Sequence, residues 1–464
     1  MKKLMLLAVA GLATATANAR PTDPGVRRES GDNGPPAALL GLGPDELAFF
    51  EDGLTRFQTV EVVNGAVPGQ GNGLGPRFNS DSCVSCHAQP NPGGSSPVQN
   101  PLLSIATAYG AANSMPWFIV ANGPVREARF VQSNGVPDGG VHDLFVVSGR
   151  SDSGNCTLTQ PVFTPAGDPV TGQGGNSNVI FRIPTPVFGA GLIEAIPDSA
   201  ILANSQINAS RNARFGVHGH ANAIQGGNVN RSGNDGTITR FGWKAQNKSL
   251  LMFAGEAYNV EMGISNELFP QERTETATCR PYNVTPEDYV NFPLTTTATP
   301  ATAVLSDIEA FAAFMRMLAP PTPGPTTPST TNGRALFSSI GCATCHTPSF
   351  TTGTAIATGS SRNPSPALSG QQVNLYSDLL VHHMGQGLAD GITQGGAGPD
   401  EFRSAPLWGL GQRAYFLHDG RTSDLLVAIE AHRSYGSEAN TVIEQFNFLH
   451  DGQQQDLLNF LRSL

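Results

Sequence analysis

The sequence predicts a mainly α fold in which two domains of one plan follow each other, the first enlarged by a long insertion of loops and short strands. Three observations predict it. The pentapeptide C-x-x-C-H occurs twice, at 83–87 and 342–346. Each copy is preceded by a helical pattern and followed by an amphipathic segment with the same close, Phe314-x-Arg316-x-Leu318 and Phe460-x-Arg462-x-Leu464. A Pro-rich stretch with a Thr/Ser tail, from Ala319 through Pro325, separates the copies.

The elements follow in order. Lys2 and Lys3, the apolar run Leu4–Leu12 and the small residues Ala17 and Ala19 form a signal-peptide pattern, with cleavage expected before Arg20. That assigns residues 1–19 to export, most simply to a periplasm, and leaves 20–42 as an extended lead segment. Residues 43–318 form the first domain, in which Asp45–Val63 holds the opening helical pattern. Its insertion, about 100–245, is rich in Gly and Asn, with strand-like runs such as Phe145–Val147 and Val179–Phe181. Residues 319–332 are the linker. The second domain, 333–464, opens on Gly333–Gly341 and closes on the helix Asp456–Leu464.

Composition narrows the function. Of 464 residues only 14% are charged, well under the roughly 25% of ordinary soluble chains, while Gly reaches 53 and Pro 35. Long polar loops follow. A formal net charge of −10 argues against nucleic-acid binding, which needs a basic face. No run of 18 apolar residues is present, so no membrane span is expected.

The pentapeptides carry the chemistry. In C-x-x-C-H two thiols add to the two haem vinyl groups, and the adjacent imidazole reaches the iron. Cys83, Cys86 and His87, with Cys342, Cys345 and His346, are therefore expected to hold two covalent haems c, His87 and His346 being iron ligands. A zinc site would need a fourth ligand and gives no reason for two exported copies. Opening helix, haem motif, variable middle and closing helix are the plan of a class I cytochrome c domain, here in tandem. Cys156 and Cys279 remain, and in an exported chain such a pair reads as a disulfide.

The ligand on the far side of each iron decides between electron transfer and reaction with a small oxidant. Candidates in the second domain are His382, His383, Met384, His418 and His432. Pro406-Leu407, then Phe416-x-His418-Asp419-Gly420, then the helix Leu425–Ile429 resemble the end of bacterial di-haem cytochrome c peroxidases. In that family the residue fourteen beyond the turn histidine ligates the electron-transfer haem, usually as Met. The resemblance puts His432 there and implies a bis-histidine haem of lower potential. Met384 is the rival.

Trp243, followed eighteen residues later by Glu261-Met262-Gly263, resembles the same family's second signature. It implies that Trp243 relays electrons between the haems and that Glu261 is the acid/base at the N-terminal haem. Phe253 stands where that family has Gln, and Lys244-Ala245-Gln246 stands where it has Asp-Gly-Arg. Arg413 and Tyr415 replace residues of its calcium site, so calcium is not carried over.

Over most of 40–464 the chain is similar to a subgroup, the di-haem oxidoreductase, putative peroxidase family (thiol-oxidoreductase-like), with the rubber oxygenases as distant kin. The similar segments are Gly73–Asn79, Gly189–Ile196, Phe241–Lys244 and Tyr376–Leu380. Glu194, in an apolar run, is the second acid/base candidate. His218 and His220 read as solvated loop residues, and His142 as a packing residue.

The resulting expectation is a peroxidase-type oxidoreductase. A small redox protein meets the C-terminal haem, and peroxide or another small oxidant meets the N-terminal one. The alternatives are a di-haem electron carrier without substrate chemistry and an oxygenase of the rubber-cleaving kind, with Phe253 in an apolar pocket.

Overall fold

The computed structural model describes residues 20–464 except 35, 64–70, 76, 131, 134–135, 138–147, 157–158, 165–177, 224–237, 271–278, 280–304 and 359–362. The signal-peptide pattern, His142 and the run Phe145–Val147 lie outside the described residues. Helices supply the frame: α1 Pro44–Gln58, α2 Cys83–Cys86, α3 Leu102–Thr107, α4 Ala190–Glu194, α5 Asp198–Phe215, α6 Leu250–Met262, α7 Asp307–Met317, α8 Pro328–Ser339, α9 Leu425–Glu430, α10 Asn440–Asn447 and α11 Asp451–Ser463. The described strands, β1 Glu61–Val62, β2 Gly71–Asn72, β3 Glu127–Phe130, β4 Gln132–Ser133, β5 Val136–Pro137, β6 Val179–Arg182, β7 Phe350–Thr351, β8 Gln372–Val373, β9 Val381–His383 and β10 Glu401–Arg403, are two to four residues long and pair only in twos. Two of these pairs matter for the site. β3 (Glu127–Phe130) runs antiparallel to β6 (Val179–Arg182), with Glu127 opposite Arg182. β9 (Val381–His383) runs antiparallel to β10 (Glu401–Arg403). No helix of the described residues is long and apolar enough to cross a membrane.

The repeat is built into two helix crossings of the same design. α1 packs on α7, and α8 packs on α11. In the first crossing Gly53 lies under α7: a Cβ there would stand 2.8 Å from the Phe314 Cβ. In the second Gly333 lies under α11, and a Cβ would stand 2.6 Å from the Phe460 Cβ. One turn after each glycine comes a phenylalanine that meets the closing-helix aromatic. Phe57 and Phe314 are 4.8 Å apart, and Phe337 and Phe460 are 5.5 Å apart. Small-to-large interlocking of this kind lets helix backbones approach closely, and the buried aromatics dominate the packing energy. Phe57 also meets the His87 ring at 6.0 Å, and Phe337 meets His346 at 6.4 Å. Each crossing therefore backs one pentapeptide.

Three readings need correction. The insertion contains an 18-residue helix, α5, in addition to loops and strands. Only Ile201 of α5 is buried, so an apolar stripe that could announce it is absent. Its ends were nonetheless marked, by Asp198 after Pro197 and by the left-handed Gly216. α8 begins at Pro328, inside the stretch read as linker, because Thr327 caps it reciprocally with Thr330. The opening helix stops at Gln58, and Glu61–Val62 continue as a short strand, β1 in the parallel pair with Gly71–Asn72.

The lead segment is tied down at both ends. Asp23 pairs with Arg462 at 2.7 Å and accepts the Leu425 N–H that opens α9, also at 2.7 Å. The Leu39 N–H donates to the Met317 carbonyl at the end of α7, at 2.8 Å. Cys156 and Cys279 form a disulfide, with Cα atoms 4.6 Å apart across a separation of 123 residues.

Candidate functional site

Two cavities lie behind the two pentapeptides. The N-terminal cavity, about 1170 Å³, is walled by Cys83, Cys86 and His87 together with α6 and the β3–β6 pair. The C-terminal cavity, about 1300 Å³, is walled by Cys342, Cys345 and His346, the 402–418 segment and α9. Both are lined chiefly by apolar side chains, with a few polar groups converging on them.

Local folding presents the pentapeptides in the same way. Cys83–Cys86 is a single helical turn, closed by the His87 N–H donating to the Cys83 carbonyl at 3.1 Å. Cys342–Thr344 is a 3-10 turn, closed by His346 on the Cys342 carbonyl at 3.0 Å. His87 Nδ1 donates to the Gly94 carbonyl at 3.0 Å. His346 Nδ1 faces the carbonyls of Tyr376 and Ala405 at 3.0 and 3.1 Å. In both rings this leaves Nε2 as the lone-pair nitrogen, the arrangement that orients an imidazole for a metal. Burial lowers both histidines to about 4, so each ring is a neutral ligand at pH 7.

None of the four pentapeptide cysteines is in a disulfide. Burial pushes Cys86 and Cys342 up to about 12, so these are neutral sulfurs in apolar walls. Among the described residues no group of three or more His, Cys, Asp and Glu is placed to hold a metal ion. Paired thiols, one available imidazole and a large apolar wall in each cavity fit a haem.

Trp243 is, among the described residues, the side chain common to both cavity walls. Its indole N–H donates to the Ile183 carbonyl at 2.8 Å, which fixes the ring. On the C-terminal side its ring meets His418 edge-on at 6.4 Å, and His418 stacks on Phe402 at 4.2 Å.

Glu261 occupies the last turn of α6 and faces the N-terminal cavity. Asn79 holds it twice, through a side-chain amide at 2.7 Å to the carboxylate and a peptide N–H at 2.7 Å to the carbonyl. Burial first, and then the neighbouring Glu127, push the Glu261 carboxyl well above its ordinary range. Glu127 and Arg129 lie two apart on β3, on one face of the strand, and form an ion pair. The sequence reading assigned none of Asn79, Glu127 and Arg129 a role. Glu-x-Arg at strand spacing was the available signal, but nothing local aims it at α6.

The structure does not bring Glu194 to this cavity. Its carboxylate pairs with Arg316 at 2.5 Å and accepts the Leu250 N–H that opens α6, at 2.8 Å. Phe253 does line the cavity and stacks on Phe241 at 6.2 Å.

His432 and Met384 both line the C-terminal cavity. His432 Nδ1 donates to the Ala428 carbonyl at 2.7 Å, leaving Nε2 as the lone-pair nitrogen there too. His382 has both nitrogens engaged, Nδ1 with Glu438 at 3.0 Å and Nε2 with Asp378 at 3.1 Å. His383 is half-exposed, between Asp400 and Glu401. His220 shares Glu401 with it, at 2.8 Å.

Solved structures similar to the chain are distant. A hydrazine synthase from Kuenenia stuttgartiensis is 18% identical, with a TM-score of 0.22, over 34% of this chain and 55% of that one. A MauG-like protein associated with microbial copper homeostasis is 17% identical, with a TM-score of 0.28, over 48% and 71%. The diheme peroxidase BthA from Burkholderia thailandensis E264 is also 17% identical, with a TM-score of 0.28, over 48% and 65%. The chain thus spans about half the length of the hydrazine synthase chain that it matches. Among curated proteins none matches. Residues 168–464, well over half of the chain and including the second pentapeptide, Trp243 and Glu261, match one family model. The chain belongs to the family that this model describes, di-haem oxidoreductase, putative peroxidase.

Proposed function

We propose that the protein is a periplasmic peroxidase-type oxidoreductase with two covalent haems c, one on Cys83, Cys86 and His87 and one on Cys342, Cys345 and His346. Residues 43–318 and 333–464 are then two cytochrome c-type domains. Each is framed by a glycine-locked helix crossing and joined to the other through 319–332. The observation that carries the reading is the pairing of Glu261 with Asn79 and Glu127 in one cavity, with Trp243 in the wall towards the other.

Haem iron supplies binding and two-electron reduction of a peroxide O–O bond. The remaining work falls to the chain. Overall, one hydrogen peroxide, two electrons and two protons give two waters. Glu261 and Glu127 form a carboxyl pair that together holds one proton in a desolvated site. Such a pair can accept a proton from one peroxide oxygen and return it to the other, which becomes the leaving water. Asn79 keeps Glu261 aimed into the cavity. Trp243 carries electrons from the C-terminal side, where a small redox protein delivers them. His432, which lines that cavity, would be the second histidine to hold the iron there.

The test is Glu261→Gln in the haem-loaded protein. Peroxide turnover per haem falls by roughly 10²–10⁴-fold with both haem spectra retained. Unchanged turnover would remove the acid/base assignment. A wild-type protein inert to peroxide in resting and half-reduced states would instead be an electron carrier.

A further inference from the structure

Eight arginines are buried among the described residues, and six of them face a carboxylate. Arg56, Arg129 and Arg150 pair with Asp307, Glu127 and Asp152; Arg182, Arg240 and Arg462 pair with Asp390, Asp198 and Asp23. Arg403 and Arg413 do not. They are 8% and 7% exposed. Arg403 Nε donates to the Gly242 carbonyl at 3.1 Å, and Arg413 Nη2 reaches the Pro406 carbonyl at 3.4 Å. Arg413 Nε has no partner. Burial lowers both to about 10, and Arg403 feels the Arg413 guanidinium as a like charge, with no acid offsetting either.

Two buried like charges with spare donors are unfavourable unless an anion joins them. Both side chains line the C-terminal cavity, and both also line a smaller cavity beside it whose wall includes Trp243. A haem brings two propionate carboxylates, and the planar guanidinium fork matches a carboxylate. We propose that Arg403 and Arg413 bind the propionates of the C-terminal haem, on the side of its cavity where Trp243 forms the wall. The assignment rests on the haem placement above and is independent of the peroxidase reading.

Two consequences follow. The pair fixes the rotation of the macrocycle, and through Gly242 it ties that edge to the Trp243 loop. Two guanidiniums beside the haem also favour the reduced, more negative state, so they raise its potential against the lowering effect of a second histidine ligand.

The test uses the haem-loaded full chain and variants Arg403→Gln, Arg413→Gln, Arg403→Lys and Arg413→Lys. Readouts are the midpoint potential of each haem and the propionate bands in resonance Raman spectra. Each Gln variant is expected to lower the C-terminal haem potential, leave the N-terminal one nearly unmoved and shift the propionate bands. Each Lys variant is expected to restore most of the potential while the bands remain shifted, because a point charge replaces a fork. Unchanged potential and bands in both Gln variants, at full haem content, would overturn the assignment. If the Gln variants fail to hold haem, unchanged bands in both Lys variants would overturn it equally. Peptide masses of the wild-type protein show separately whether haem is on Cys342 and Cys345, so failure of the placement is not confused with failure of the anchors.

Discussion

Asn79 grips Glu261 at both ends, donating its side-chain amide to the carboxylate and its peptide N–H to the carbonyl, each at 2.7 Å. The first bond favours the ionised carboxylate, opposing the burial and the Glu127 charge that favour the neutral form. Asn79→Ala removes that opposition, so the Glu261 carboxyl moves further up. The acid limb of the peroxide pH–rate profile should then shift to higher pH. Turnover at pH 7 should fall by about tenfold or more, within the range attributed to one positioned acid/base group. An unmoved limb would mean that Glu261 does not set it.

Trp243 touches both cavities and is held by one hydrogen bond to the Ile183 carbonyl, at 2.8 Å. Trp243→Phe keeps the apolar contact and loses that bond, at a cost of about 1 kcal/mol in unfolding free energy. Inter-haem electron equilibration, followed by stopped flow after reduction of one haem, should slow clearly more than such a modest destabilisation accounts for. Equal rates in the two proteins would take Trp243 out of the electron path and leave it a packing residue.

Gly263 ends α6 in the left-handed region at φ +70°, where a side chain is strained by roughly 1–2 kcal/mol. A Cβ there would also stand 2.7 Å from the Arg77 carbonyl oxygen and 2.9 Å from the Gly75 Cα, both backbone atoms. Gly263→Ala should therefore cost more than the conformational strain and displace the loop that leads into Cys83. Gly216→Ala is the control, since Gly216 has φ +77° and open space around it. Urea unfolding should show a larger loss for Gly263→Ala, with less haem on Cys83 and Cys86. Equal losses would mean that the Gly75 contact yields freely.

What could be read from the chain depended on how local each signal was. The pentapeptides, the two Phe-x-Arg-x-Leu closes and the turn at His418 are contiguous, and each forms the element expected of it. The glycines that admit Phe314 and Phe460 sit on other helices, Gly53 and Gly333, so the interlock appears only after the helices meet. α5 escaped notice because its burial is confined to Ile201. Glu127 is a strand residue whose partner lies on α6, 134 positions away, and no periodicity connects them. Arg403 and Arg413 look like ordinary charges in sequence; only their burial without an acid sets them apart.

His432 and Met384 compete for one iron, and the geometry separates their expected signatures. The His432 Nδ1 bond to Ala428, at 2.7 Å, fixes the ring and its tautomer before any metal arrives. Burial lowers the histidine, so the ring stays neutral and needs no deprotonation to bind. Met384 lines the same cavity, and its backbone is bridged to Ser437. With His432 as ligand, His432→Ala converts the C-terminal haem from a low-spin to a high-spin spectrum, and Met384→Leu leaves it low-spin. His432→Met keeps the haem low-spin and raises its potential, because thioether ligation favours the reduced iron. The reverse pattern, with Met384→Leu high-spin and His432→Ala unchanged, would assign the iron to Met384. In that case His432 is left only capping α9 through Ala428. Reading both variants by magnetic circular dichroism separates His/His from His/Met ligation directly, without recourse to turnover.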